Sequence, residues 1–513
     1  MFYNPERPRA AFRSLRALRR GRALAEAIME HDSPATEPWQ LSAVELAAAI
    51  RHRTLSSVDV VRSCLDRIDA VNPRINALAD LRPEEALDQA RAADRLTASG
   101  AELGPLHGIP VSTKINTDQR GYASSHGVVA LAATPATEDA ACVTALREAG
   151  AVLVGRSNAP AFSYRWFSTN DLHGRTLNPW DAERTPGGSS GGASASLAAG
   201  MTPIAQGNDI GGSIRYPAAC CGVVGIRPTV GRISNWAEPV FVDTPGGREQ
   251  LVMPPTVLNC AVEGPLARTV ADARLALRVM TTPDLRDPVG VPALPTRPAP
   301  EALPRVLVVR SIGTAANHPA VEKALDEAVA KLADAGYPVE ELDGLPLLAE
   351  AARLWSLLVY EDFRPTMPTV ELLGDADIRT SLAYSFAAAA GQWGEAPTLA
   401  QYIHGWSRRG ALVTELQQLL GRDALLLTPV SAEPPFEQDA DLAGPARAAE
   451  LVAAMWPMAA VPILGFPAAT VPSALVDGLP MSVQLVGGRF EEEAVLDAAQ
   501  AVEDRTPRLV PAL

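Results

Sequence analysis

Residues 185–222 read TPGGSSGGASASLAAGMTPIAQGNDIGGSIRYPAACCG, and no other stretch restricts the fold as much. It holds two Gly-Gly-Ser units whose serines, Ser189 and Ser213, lie 24 residues apart. Glycine lacks a Cβ, so the chain can turn sharply there and approach another group closely. Consecutive exposed N–H groups in such a turn make an anion-binding nest. A serine hydroxyl beside a nest suits acyl transfer, because the oxygen that becomes negative meets N–H donors. The plain reading of GGSSGG is a linker or a phosphate loop. A phosphate loop would end in GK[ST], which is absent. Here the run leads into the small-residue helical segment ASASLAAG, and the second unit is flanked by Asp209 and Arg215.

A serine nucleophile needs a base. Histidine is scarce, at positions 31, 52, 107, 126, 173, 318 and 404. The stretch GPLHGIPVSTKINTDQRG, 104–121, offers Lys114 instead, directly after the apolar, strand-like GIPVS. Alone, such a lysine reads as a solvated side chain. Burial would lower its pKa toward a neutral, basic form.

Along the chain, helical patterns open at Ser42, run through Ser57–Val71 and fit 83–98, where Pro83 and two Glu suit a helix start. Thr137–Gly150 is expected to be a helix capped by Thr137, with acids in its first turn and Gly at its end. The strand-like AVLVG follows it, and later apolar runs are 223–226, 305–309, 424–430 and 481–487. Helices fit 269–281, 319–335 and 491–503. Alternating strands and helices indicate an α/β fold, a sheet covered on both faces. The Pro-rich stretch 284–304 is the expected crossing between a catalytic half and a more variable half.

Composition removes some functions. The 513 residues carry 45 Lys+Arg against 59 Asp+Glu, a formal charge of −14, which argues against nucleic acid or an anionic membrane as partner. The five cysteines (64, 142, 220, 221, 260) are odd in number and widely spaced, with no CxxC pair. That suits a reduced, cytoplasmic protein without a disulfide framework or zinc knuckle. No apolar run reaches the length of a membrane span. Residues 1–36 are read as an extension; Arg7, Arg9, Arg13, Arg16, Arg19, Arg20 and Arg22 crowd its first 22 residues, where Glu6 is the one acid, with no apolar segment following.

Taken together, GIPVSTK, GGSSGG and GNDIGGSIRYPA resemble, in type and order, the stretches of the amidase-signature family. The likeness extends to LREAGAVLVGRSNAPAF (146–162), NPW (178–180), CGVVGIRPTVGR (221–232), EGPLARTVADA (263–273), and LLLTPV, FPAATVP and DGLPMSVQLVGGRF near the C-terminus. It covers roughly residues 40–505 apart from a weak middle.

The resemblance implies a large mixed β-sheet core, with residues 37–510 as the catalytic domain and about 284–420 as a variable substrate wall. It implies that Ser213 attacks the carbonyl and that Ser189, joined to Gly188 by a cis peptide, passes the proton to Lys114. The N–H groups of Ile210, Gly211, Gly212 and Ser213 would form the oxyanion hole, with Gly188, Ser190, Asp209 and Arg215 orienting the loop. No metal or cofactor is implied. The partner would be a small amide, and a homodimer is compatible with the family. Three positions depart from the family pattern: Ile115 where Asp is common, Asn208 where Thr is common, and Ala161 where Glu is frequent.

Other chemistries fit the residues less well. Gly187–Gly191 satisfies G-x-S-x-G, a nucleophile elbow, but DAERTP before it is no strand. Cys220 or Cys221 could serve a cysteine hydrolase, and family members also act as the amidase component of an amidotransferase. The aromatic-rich middle (Leu354, Trp355, Leu358, Tyr360, Phe386, Trp393, Tyr402, Trp406) and the cluster Phe162, Tyr164, Trp166 and Phe167 favour a neutral, hydrophobic or aryl amide, with the matching carbamate or ester as alternative.

Overall fold

The computed structural model describes residues 37–238, 241–244, 247–250, 253–292 and 302–513. The Arg-rich extension and part of the Pro-rich crossing lie outside them. The strands are Leu78–Leu81 (β1), Pro110–Lys114 (β2), Val152–Ser157 (β3), Ile204–Asp209 (β4), Val224–Arg227 (β5), Phe241–Thr244 (β6), Gly247–Gln250 (β7), Val262–Ala267 (β8), Arg305–Val308 (β9), Val339–Glu341 (β10), Ala424–Pro429 (β11), Ala468–Val476 (β12) and Leu479–Val486 (β13). Eleven of them form one sheet in the order β1-β3-β2-β4-β8-β5-β12-β13-β11-β9-β10, while β6 and β7 pair separately. The sheet is mixed: β2 lies parallel to β3 and β4, and β8 runs antiparallel to β4 and β5.

Side chains alternate across the sheet with period two. Val306, Val308, Leu425 and Leu427 face helices 43–51, 141–148, 270–280, 319–334 and 492–503. Leu307, Leu426 and Val486 face the opposite layer, where helices 346–363, 399–420 and 456–464 pack. Both faces of the sheet are therefore dry, which is why β2, β3, β8 and β11 are buried at every position.

Most helix starts follow local chemistry. Ser42 caps its helix in a reciprocal box with Glu45. The expectation for Thr137 needs correcting. That helix runs Ala141–Glu148 with Ala140 at its cap. Thr137 instead bonds Glu238, and Asp139 takes the Arg120 N–H and the Arg147 guanidinium. The residues that looked like cap and first turn tie down the preceding loop.

Parallel pairing of β2 with β4 has the consequence that matters for function. Both strands end at the same edge, where ligands of α/β sheets usually bind. Lys114 is the last residue of β2 and Asp209 the last of β4.

Candidate functional site

The chain between the two serines, residues 190–212, forms a closed excursion. Helix Gly191–Ala198 carries the chain away from the loop that holds Ser189, and β4 brings it back. The second loop, 210–214, then meets the first, and the Ser190 N–H donates to the Ser213 carbonyl at 3.2 Å. The helix between them is made of Gly, Ala, Ser and one Leu because it lies against backbone. A Cβ on Gly192 would stand 2.4 Å from the Asn158 nitrogen. The Gly188–Ser189 peptide is cis. Gly212 has φ +93°, in the region open to glycine, and Met458 fills the space a Cβ would need.

Lys114 is fully buried and its Nζ donates to Ser189 Oγ and to Asn208 Oδ1, each at 2.7 Å. Burial lowers its pKa to about 7, against the opposing pull of Glu263 and Asp209. Ser189 and Ser213 are themselves buried. The structure thus brings together the lysine and the first serine by a direct bond, and the two serine loops by a backbone bond.

Asp209 holds the second loop from beneath. Its carboxylate accepts the N–H groups of Gly212 (3.0 Å) and Ile214 (3.2 Å) and a two-point contact from Arg215, both at 2.9 Å. Arg227 approaches to 3.5 Å from the other side. Burial alone would raise the carboxyl; Arg215 and Arg227 with the Gly212 N–H outweigh it and hold Asp209 well below the usual carboxylate range. Arg215 is further tied to Gln484 Oε1 at 2.6 Å.

This geometry narrows the expectation for the oxyanion donors. The Gly212 N–H already donates to Asp209 Oδ1, whereas no such bond ties the N–H groups of Ile210, Gly211 and Ser213 among the described residues. Ser190 reaches the second loop through its backbone N–H, while its hydroxyl has no hydrogen-bond partner among the described residues.

Two indoles clasp the same loop. Trp355 Nε1 donates to the Ile210 carbonyl and Trp166 Nε1 to the Gly211 carbonyl, each at 2.8 Å. Trp355 packs edge-on to Tyr360, which contacts Phe386; Tyr164 contacts Phe363. Trp393 bonds the Arg353 carbonyl and lies under its guanidinium, and Tyr402 bonds Asp362. Leu354 and Leu358 are core.

Apart from Asn208, which stood out as a departure from the family pattern, sequence reasoning missed the polar residues around the lysine. Gln206 Oε1 accepts the Lys114 N–H at 2.8 Å, Asn116 and Asn208 exchange amide bonds, and Glu263 lies buried behind both Gln206 and Asn208. Their signal was present: an acid interrupts the apolar run NCAVEGPLA, and amides occupy a strand, IAQGND. Ile115 is simply buried in the core. Cys220 and Cys221 are buried, and burial raises both thiols, Cys221 to about 12, the reverse of what a thiolate nucleophile requires. No strand precedes Gly187, as an elbow would demand.

A family model described as Amidase matches residues 59–496, and the chain belongs to that family. The chain is 39% identical over 473 residues to an indoleacetamide hydrolase of Bradyrhizobium diazoefficiens, covering 91% of this chain and 87% of that protein. It is 34% identical over 448 residues to an indoleacetamide hydrolase of Bradyrhizobium japonicum, covering 83% and 91%. Among solved structures it is similar to a bacterial aryl acylamidase of the amidase signature family, with a TM-score of 0.76 and 26% identity over 91% of this chain and 96% of that one.

Proposed function

Given that the chain belongs to the amidase family and is an amide hydrolase, we propose that it cleaves neutral, hydrophobic or aryl carboxylic amides through an acyl-enzyme on Ser213. The observation that carries this reading is the 2.7 Å bond between Lys114 Nζ and Ser189 Oγ, in a site whose burial favours the neutral amine. Ser213 Oγ attacks the carbonyl carbon, its proton passes to Ser189 Oγ, and the Ser189 proton passes to Lys114 Nζ. The oxyanion is received by the N–H groups of Ile210, Gly211 and Ser213, with Gly212 serving the loop's own geometry. Collapse of the tetrahedral intermediate returns the proton along the same path to the leaving nitrogen. Water then attacks the acyl-enzyme by the reverse relay and releases the carboxylate.

The substrate class is supported by the indoles at the oxyanion loop and by the names of the relatives, an indoleacetamide hydrolase and an aryl acylamidase. Residues 37–510 act as the catalytic unit in this reading, with 284–420 supplying much of the wall around the acyl or leaving group. The matching carbamates and esters would meet the same nucleophile.

Fluorophosphonate labelling followed by mass spectrometry tests the assignment. The label is expected on Ser213 and is lost in Ser213→Ala; a label on Ser189 or a cysteine refutes it. A substrate series of anilides, aliphatic amides, carbamates and esters, with glutamine as control, tests the substrate class. Preference for glutamine would replace the reading with that of an amidotransferase component.

A further inference from the structure

One buried carboxylate takes no part in the relay above, yet both amides that donate to it lead there. Glu263 lies on β8 directly opposite Asn208 on β4. Gln206 Nε2 donates to its Oε2, Asn208 Nδ2 reaches its Oε1 at 3.5 Å, and the Cys142 thiol lies 3.9 Å from Oε2. The far ends of the same two amides hold the lysine. Asn208 Oδ1 accepts from Lys114 Nζ at 2.7 Å, and Gln206 Oε1 accepts from the Lys114 backbone N–H at 2.8 Å. A side-chain amide has one accepting end and one donating end, whereas an ionised carboxylate only accepts. With a carboxylate behind them, both amides must turn their NH2 groups to Glu263 and their oxygens to Lys114. Thr117 Oγ1 and Asn116 Oδ1, each accepting at 3.0 Å from Gln206 and Asn208, reinforce the same orientation.

We propose that Glu263 is a positioning residue for the catalytic lysine: through Asn208 and Gln206 it aims Nζ at Ser189 and sets the pH at which the lysine can take a proton. The proposal rests on Lys114 being the base. Other charged groups near the lysine are Asp209 on β4, His126 in the loop after β2 and Arg156 on β3. Burial, with Arg156 and Lys114 adding to it, lowers His126 to about 4, so it is neutral in the working range. Asp209 is already neutralised by two arginines. Glu263, with Asp118 its further acidic neighbour, is pushed up to about 7 by burial, while Gln206, Lys114 and Asn208 pull the other way. Glu263 and Lys114 therefore titrate as a coupled pair whose apparent values belong to both.

The sign follows from the charges. The neutral amine is the active form, so activity rises with pH through the lysine's titration. A Glu263 carboxylate favours the ammonium and holds that rise at higher pH. Glu263→Gln should move the acid limb of kcat/KM to lower pH by about half a unit or more. It should also lower the plateau by about ten- to a hundredfold through kcat, with KM little changed, because a misaimed base costs rate and not binding. Glu263→Asp keeps the charge but withdraws it by one methylene. Its limb should stay near the wild type while its plateau falls. Profiles would be recorded on purified full-length protein with a neutral anilide, with Lys114→Ala and its fluorophosphonate labelling in parallel. An unmoved limb in Glu263→Gln, or, should that variant not fold, a wild-type plateau in Glu263→Asp, overturns the proposal while leaving the lysine intact. Retention of the limb in Lys114→Ala overturns the base assignment and this proposal with it.

Discussion

Two buried charges flank the loop that carries Ser213, and they behave in opposite ways. Asp209 meets its counter-charges directly, through two-point contact with Arg215 and a further approach by Arg227, and stays ionised. Lys114 meets Glu263 only through interposed amides, and burial drives it toward neutrality. Equal burial has produced a structural charge on one side and, in the relay proposed above, a working charge on the other. What decides between them is whether the partner touches: attraction at bonding distance in a dry interior outweighs desolvation, and attraction through a neutral amide does not.

The largest effects should come from breaking the structural side. Asp209→Asn keeps the shape and removes the charge, leaving Arg215 and Arg227 buried without their acid. A loss of about 3–5 kcal/mol in unfolding free energy is expected, measured by chemical denaturation, together with loss of activity as the 210–214 loop slackens. If the variant were as stable as the wild type, the contrast between the two charges would have no energetic basis.

The working side should show the reverse balance. Lys114→Met retains most of the side-chain volume and should fold, while kcat/KM drops by about 10²–10⁴. The sign of its stability effect can be worked out. The folded-state pKa of about 7 lies below the ordinary 10.5, so between these values the unfolded chain binds a proton that the folded chain does not. Wild-type stability therefore gains from this group as pH rises through that window. The variant lacks the term, so its stability relative to wild type should improve as pH is lowered from about 10 to about 7. Paired denaturation curves check this; a pH-independent difference would show that the lysine is not held neutral by burial.

The asymmetry also explains what could be read in the sequence. The loops carrying Ser189 and Ser213 were legible because sharp turns demand glycine, and glycine pairs beside serine are conspicuous. Lys114 follows an apolar, strand-like stretch, yet alone it read as a solvated side chain, and only the family resemblance singled it out. Glu263 was not, since an isolated acid in VEGPLA looks like a solvated side chain until β4 pairs against it. Strands β4, β8 and β12 escaped notice for a related reason. Their sequences, IAQGND, VEGPLA and AATVPSALV, contain Gly, Pro and amides that weaken strand propensity, and their burial is imposed by neighbours. The aromatic middle could be located but not oriented. Helix 346–363 is apolar on most of its surface, so periodicity does not say that Trp355 turns its N–H to the 210–214 loop.

That orientation yields the smallest effects and the finest test. In a trans peptide the carbonyl and the N–H point in opposite directions. By holding the Ile210 carbonyl, Trp355 aims the Gly211 N–H away from itself. By holding the Gly211 carbonyl, Trp166 aims the Gly212 N–H away too, and it is found on Asp209 at 3.0 Å. Trp355→Phe keeps most of the ring and deletes one donor. An unmade bond to a buried carbonyl is worth about 1–3 kcal/mol, so kcat should fall by about tenfold or somewhat more with KM for a neutral aryl amide nearly unchanged. Trp393 binds the Arg353 carbonyl on the neighbouring helix, and Trp406 packs in the outer helical layer beside Arg409. Trp393→Ala and Trp406→Ala should therefore change kcat/KM by less than about threefold unless the wall they help support moves. Equal losses in all three variants would mean that the aromatic middle acts as one hydrophobic wall and not through a single indole. A loss confined to KM in Trp355→Phe would place that ring against the substrate instead of behind the Ile210–Gly211 peptide.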